Sequence, residues 1–420
     1  MEVIKVDEKT LDEYVLSSKK PHFMQSSAWG EVNEERGANI HRLLVKDDDR
    51  TIGSALLIEK KILKYSTFYC PRGFITDFDN KEDVKKVTEA LKEYAYKNGG
   101  IYIKIDPDII IRKLDKDTNV IYEDENHLKL IDLLTELGGK HRGFTTKFTE
   151  SSTPRFTFRV DVTKDNLLDS FHQTTRNILR RNNPYNLKVY IGDENDIDKF
   201  YAPMKETAIR KHMYLEDEKF FRDFYTILHS HGMSDLYIVT ANLEEVKDKY
   251  RHLIIEASEE LSAIKDTNKK GRINDLHDQL AKYQKELKLI EESELDEIVL
   301  SSMITVKYGD MIWTLHGANS SSFPFLNANY EMYYQIIKDA KDNGYKWVDF
   351  YGTEGKIDKK SEAFGIYQFK VRFGGDFDEF IGEFDFIVRP NTYIVVMSLL
   401  KARRKIKYKL QQKRISKKPN

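Results

Sequence analysis

The chain has 420 residues, 40% apolar and 12% aromatic, which is ample for packed cores and excludes an intrinsically disordered protein. Its one cysteine, Cys70, excludes an internal disulfide framework and points to a reducing, cytoplasmic compartment. Net charge is −1; residues 1–13 are mixed polar and acidic rather than leader-like, and no run approaches the roughly 18 apolar residues of a spanning helix.

Apolar-rich runs His41–Lys46 and Thr51–Ile58, joined by Asp47-Asp48-Asp49-Arg50, predict a β-hairpin, and Thr67–Cys70 a third strand. Val84, Val87, Leu91 and Tyr94 recur at helical spacing up to the stop signal Asn98-Gly99-Gly100. Ile101–Ile105 reads as a strand closed by Asp106-Pro107, and a short helix over 127–137 stops at Gly138-Gly139. From Arg155 the pattern restarts with the alternation Phe156, Phe158, Val160 of a half-buried strand. Helical patterns follow near 165–181, 195–211 and 217–230, then a strand at 236–239. Val299–Val306 and Met311–Leu315 form a second hairpin, and Tyr330, Tyr333, Ile336 and Ile337 a helix stopping at Asn343-Gly344 before the strand Trp347–Tyr351. The two halves therefore echo one another as hairpin, helix, Asn-Gly turn and strand, which predicts two α/β units with mixed sheets.

Between them lies different material. Leu243, Val246, Tyr250, Leu253, Ala257, Leu261 and Ile264 step by three or four, and Ile273, Leu276, Leu280, Tyr283, Leu287 and Ile290 follow a heptad spacing. Two helices joined by a polar turn at 266–271 make an antiparallel hairpin about 35 Å long at 1.5 Å per residue, inserted into a sheet begun before 240 and completed after 299. The expected organisation is 1–150 for the first unit, 151–240 with 297–390 for the second, 241–296 for the arm, and 391–420 for a C-terminal helix and tail. Residues 401–420 hold ten Lys and Arg and no acidic residue, leaving the first 400 at −11. Such a tail suits contact with anionic lipid or an RNA backbone, or is a solvated terminus.

Zinc-protease, Cys-x-x-Cys, nucleophile-elbow and P-loop signatures are missing, and so is the Gln/Arg-x-x-Gly-x-Gly/Ala loop that cradles coenzyme A pyrophosphate. Neither a metal nor a cofactor is expected, and an ordinary acetyltransferase is disfavoured. Mixed polar and aromatic clusters remain. Ile366-Tyr367-Gln368-Phe369-Lys370-Val371-Arg372-Phe373 sets Lys370 among aromatic residues, where its ammonium would be partly desolvated and suited to an oxyanion or a phosphate, or would snorkel to the surface. Tyr102 and Asp106 frame a strand end, and His316 closes the second hairpin. Arg176, Arg180 and Arg181 lie along one helical segment and Arg210 at the end of the next, candidate tRNA or phosphate contacts against the commoner solvated face.

Seven short strings, in order along the chain, resemble the FemABX peptidyltransferases, the staphylococcal FemA and FemB enzymes in particular. They are Gln25-Ser26-Ser27-Ala28-Trp29, Arg72-Gly73-Phe74 with Asp77, Tyr102-Ile103-Lys104-Ile105-Asp106-Pro107, His141-Arg142-Gly143-Phe144, Phe350-Tyr351-Gly352, Gly365-Ile366-Tyr367-Gln368-Phe369-Lys370 and Ile381-Gly382-Glu383-Phe384. The resemblance implies two N-acetyltransferase-type (GNAT) units plus the arm, and transfer of Gly, Ala or Ser from aminoacyl-tRNA, as co-substrate, to the stem peptide or growing bridge of lipid II. It implies Lys370 as the group that stabilises the oxyanion, and Tyr102, Asp106, His316, Tyr351 and Tyr367 as precursor-binding. Homologous Fem-type partners and contact of the tail with the inner membrane face are implied alongside. Asn33, Glu216, Phe220 and His316 depart from the Lys, Arg, Tyr and Tyr of smaller homologues, which leaves precursor-phosphate binding unassigned and fits a membrane-bound lipid II acceptor rather than a soluble nucleotide. A non-catalytic GNAT-like protein that binds a partner through its arm is the alternative reading.

Overall fold

The computed structural model describes the chain except residues 63, 183–184, 211–213, 266–268, 362 and 400–420, and the side chains of 181 and 182. It divides into two compact units: Met1–Phe156 with Gly352–Asp358 and Asp378–Asn420, and Thr157–Tyr351 with Lys359–Phe377. Among the described residues no helix is long and apolar enough to cross a membrane. The basic tail lies outside the described residues.

The first unit is built on one sheet in the order Glu2–Lys5, Asn39–Asp47, Arg50–Ile62, Tyr65–Cys70, Gly100–Ile105, Phe384–Ile387, Gly139–His141. Its pairs are antiparallel where the chain turns back directly, as in the hairpin from Asn39 to Ile62. Tyr65–Cys70 and Gly100–Ile105 instead run parallel, which requires a crossover. Helix Lys81–Lys97 supplies it, capped by the Asn80 side chain on two backbone N–H groups. It turns Val84, Val87, Leu91 and Ala95 onto the sheet, where they join Leu57, Phe68, Ile103, Phe384 and Phe386 in one core. Phe384–Ile387, which the sequence reading gave to the second unit, is an interior strand here, paired with Gly100–Ile105 on one side and Gly139–His141 on the other.

The second unit repeats the plan. Its strands run Lys188–Gly192, Ser234–Asn242, Glu297–Tyr308, Met311–Asn319, Trp347–Thr353, Phe156–Asp161 and Asp376–Phe380. Met311–Asn319 and Trp347–Thr353 are the parallel pair, with helix Ala328–Asp342 between them in sequence. They pair over only three positions, Met311↔Trp347 to Trp313↔Asp349. Beyond Trp313 the first strand goes on pairing with the 301–304 segment past a bulge at Ile304/Thr305. The two strands therefore part at Asp349, where the catalytic candidates begin.

The arm leaves this sheet between paired residues. Asn242 and Glu297 are partners in the ladder, and helices Leu243–Ala263 and Lys270–Glu291 stand between them. Side-chain pairs fix their antiparallel course: Arg251 with Glu291 at the base (3.4 Å) and Arg272 with Glu260 toward the tip (2.6 Å). At the root the buried Tyr250 hydroxyl donates to Glu286 at 3.0 Å, and its ring stacks on Tyr185. Because the ladder closes beneath the arm, the outer arm is not needed to fold the body. Replacing residues 255–281 with a short glycine-rich loop, which spares Tyr250 and Glu286, is expected to leave a single cooperative thermal transition with its midpoint lowered by only a few degrees. Loss of that transition would show the arm to be part of the body's core.

Candidate active site

The site grows from one buried acid. Asp349, 2% exposed, sits where the parallel strands part. Its Oδ1 accepts hydrogen bonds from the Thr157 hydroxyl and from Tyr351 N (2.6 Å), and its Oδ2 accepts from Arg159 Nε at 2.9 Å. A buried carboxylate needs such partners. The bond to Tyr351 N also holds that residue at φ +56°, a left-handed conformation unfavourable for a bulky side chain. The strand is thereby bent, and the Tyr351 carbonyl accepts a hydrogen bond from Lys370 Nζ at 3.0 Å.

Lys370 is 7% exposed on helix Phe364–Val371. Its neighbours on that helix explain why it is buried. Tyr367 packs edge-on against Phe158 and Phe377, while Phe369 meets Tyr330 and Tyr333 at 4.9 and 4.8 Å between ring centroids. Desolvation pushes the Lys370 ammonium down to about 7, against the upward pull of the Asp349 carboxylate. A lysine so placed changes charge near neutral pH. The end of the helix is pinned by the Arg372 carbonyl, which accepts from His172 N (2.8 Å) and from the Thr175 hydroxyl (3.0 Å). Gly374, at φ +69°, brings the backbone so close to the Ser170 carbonyl that a Cβ would collide with it.

The same helix forms one wall of a cavity of about 350 Å³ with its other face, through Gln368, Phe369 and Arg372. Arg372 Nη1 donates to the buried Tyr330 hydroxyl at 3.0 Å, and Arg210 stands at the cavity's edge. Asn327, at φ +51°, opens helix Ala328–Asp342 without capping it; its Nδ2 donates to the Phe325 carbonyl at 2.7 Å instead. Two guanidinium groups and an uncapped helix start suit a phosphate.

The structure thus joins Tyr351 to Lys370 and sets Tyr367 beneath them as packing. His316 lies half-buried against the rings of Phe220, Phe221 and Phe224 at 5.1–6.3 Å. Arg210 reaches the cavity; Arg180 is exposed. Arg176 turns inward, donating to the Phe171 carbonyl (3.0 Å) and Gln173 Oε1 (2.6 Å), so it braces the segment that pins the Lys370 helix. The Arg181 side chain lies outside the described residues. Tyr102 and Asp106 belong to the first unit. Tyr102 meets Tyr393 edge-on at 5.5 Å, and Asp106, 4% exposed, accepts from Arg72 N (2.7 Å), Tyr69 Oη (2.9 Å) and the Thr153 hydroxyl. Sequence reasoning missed Asp349 and Arg372. A lone acid within Trp347-Val348-Asp349-Phe350 and an arginine two positions past Lys370 were the available signals.

Comparison with known proteins places the chain in a family. The chain matches the FemAB family over residues 6–401. It belongs to that family. It is an enzyme, an aminoacyltransferase, on a mixed α/β fold. A lipid II:glycine glycyltransferase of Staphylococcus aureus (strain USA300) is 29% identical, covering 98% of this chain and 100% of the relative; the protein of the same name from strain MRSA252 is similar to the same degree. The crystal structure of FemX superposes with a TM-score of 0.75 at 28% identity, covering 94% of this chain and all of that one.

Two substitutions test the site's construction. Gly374→Ala is expected to destabilise the protein by about 2 kcal/mol or more, through the positive φ and the backbone collision together, measured by urea unfolding. Asp349→Asn removes the charge that raises the Lys370 pKa, so half-protonation of Lys370 should fall below its wild-type value, read by NMR of labelled lysine. An unmoved or raised value would separate the two residues electrostatically.

Proposed function

We propose that the enzyme transfers glycine from glycyl-tRNA to a peptide amine of lipid II, and that Lys370 is its electrostatic catalyst. The observation that carries this reading is the buried Lys370 ammonium, held on the Tyr351 carbonyl where the two parallel strands separate. The acceptor amine attacks the ester carbonyl and a C–N bond forms. The carbonyl oxygen becomes an oxyanion, which the ammonium stabilises in a desolvated setting where charge interactions are strong. The intermediate then collapses with cleavage of the C–O bond, and the amine's proton goes to the departing ribose oxygen. The cavity lined by Arg210 and Arg372 would take the phosphate next to that ribose. The relatives' activity supports glycine as the group moved, and lipid II as the acceptor rests on the same similarity.

Labelled glycine, alanine and serine on tRNA, offered with lipid II, test the reaction. Wild type should transfer glycine, and Lys370→Ala should lose about 100-fold in rate, the scale of one oxyanion-stabilising group. Transfer of alanine or serine instead would revise the amino acid; no transfer by folded wild type would overturn the reading. The pH dependence follows from the depressed pKa. The protonated form is the active one, so kcat/KM should fall as pH rises through about 7, and this descending limb should be missing from the residual activity of Lys370→Ala. A rate that rises through that range only in the presence of Lys370 would make it a base instead.

A further inference from the structure

The first unit has a cavity of its own, about 340 Å³, but its charges are largely satisfied within it: Lys19 pairs with Asp77 at 2.9 Å, and Asp124 caps helix Glu125–Glu136. The second unit's cavity differs. Arg210 and Arg372 line it without any acidic residue, and two separate stretches of chain supply much of the rest. One is the helix that carries Lys370, through Gln368 and Phe369. The other is the short segment 323–327, through Phe323, Pro324 and Asn327.

That segment has an unusual shape. Phe323 and Asn327 both take a left-handed backbone, at φ +50° and +51°, which such residues keep only where their surroundings fix it. Within the segment, Leu326 N donates to the Phe323 carbonyl at 3.0 Å, and Asn327 Nδ2 to the Phe325 carbonyl at 2.7 Å. A further anchor belongs to the arm. The Phe325 ring meets the Phe323 ring at 5.9 Å and, edge-on, the buried Tyr250 ring at 6.2 Å. Tyr250 is fixed from three sides. It stands on helix Leu243–Ala263, and on helix Lys270–Glu291 it donates to Glu286 and meets Tyr283 edge-on at 6.1 Å. Its ring stacks on Tyr185, outside the arm, at 5.4 Å.

The root of the arm and the cavity are thus joined by three consecutive rings, Tyr250, Phe325 and Phe323. We propose that Phe325, held by Tyr250, is a positioning residue for the donor: it fixes the cavity wall at 323–327, so the seat of the donor's phosphate is set from the root of the arm. This rests on the reading of aminoacyl-tRNA as donor and extends it. A phosphate seat shifted by about 1 Å loses much of its grip on the ligand's geometry. Neither Phe325 nor Tyr250 touches the reacting atoms, so their effect falls on donor binding.

The test pairs kinetics with calorimetry on the full chain, using adenosine 5′-monophosphate as a probe for the terminal nucleotide of the donor. Phe325→Leu keeps apolar bulk but loses the flat ring. It should weaken the probe about 10-fold and raise the donor's KM to the same degree, with kcat and the acceptor's KM unmoved. Tyr250→Leu should do the same, and the double variant should lose no more than either single one, because both break one contact. Tyr250→Phe keeps the ring and should restore wild-type probe affinity, although it loses the bond to Glu286. Ile238→Val, in the core strand Ser234–Asn242, supplies a general loosening and should lower the thermal midpoint without moving probe affinity. Unmoved probe affinity in Phe325→Leu, additive losses in the double variant, or an equal loss in Ile238→Val would each overturn the proposal while leaving the transfer reaction intact. Probe binding that depends on Phe325 in a chain that transfers nothing would sustain the positioning role and sink the proposed reaction instead.

Discussion

Asp349 could not be left in the interior as a lone charge, and much of the second unit's geometry follows from how it is satisfied. Thr157 and Arg159 come to it from the neighbouring strand, and its own chain turns back through Tyr351 N–H. That last bond bends the strand end, and the bend presents a backbone carbonyl toward the helix that carries Lys370. Strain at Tyr351, burial of Lys370 and the early parting of the parallel strands are connected consequences. Removing the acid would take the Asp349 hydrogen bond from the buried Arg159 guanidinium and from Tyr351 N–H, a costly pair of losses.

The two units solve one folding problem in the same way: an antiparallel hairpin, a crossover helix and a parallel strand. Each leaves a cavity on the loop before its crossover helix. The side chains around these loops have diverged in charge, cationic in one unit and nearly balanced in the other. Tandem units with different charge at equivalent places suit a reaction that joins two unlike substrates. The fold supplies two concave sites, and the residues on the loops decide what each prefers.

Much of this was legible in the chain because it depends on local periodicity. The Asn-Gly stops after both crossover helices are visible as αL or near-αL turns at Gly99 and Gly344. The heptads at 273–290 became a helix packed on its partner, since alternating steps of three and four put Leu276 and Ile290 on one face. Long-range and conformational features were not legible. Nothing local tells that Phe384–Ile387 returns to the middle of the first sheet, because its alternation would suit any sheet. A positive φ at Tyr351 is invisible in a sequence where glycine is the usual sign of that conformation. Lys370 was conspicuous among aromatic residues, yet the acid that tunes it and the carbonyl that holds it come from another element, 21 and 19 residues earlier in the chain respectively.

The most direct measurement of the account is the titration of Lys370 itself, by NMR of protein carrying 13C-labelled lysine ε-carbons, with Lys370→Arg to assign the resonance. The account predicts half-protonation near pH 7, well below the exposed lysines. Titration with the bulk of the lysines, near about 10.4, would mean that the ammonium is solvated and would contradict a desolvated catalytic cation at this position.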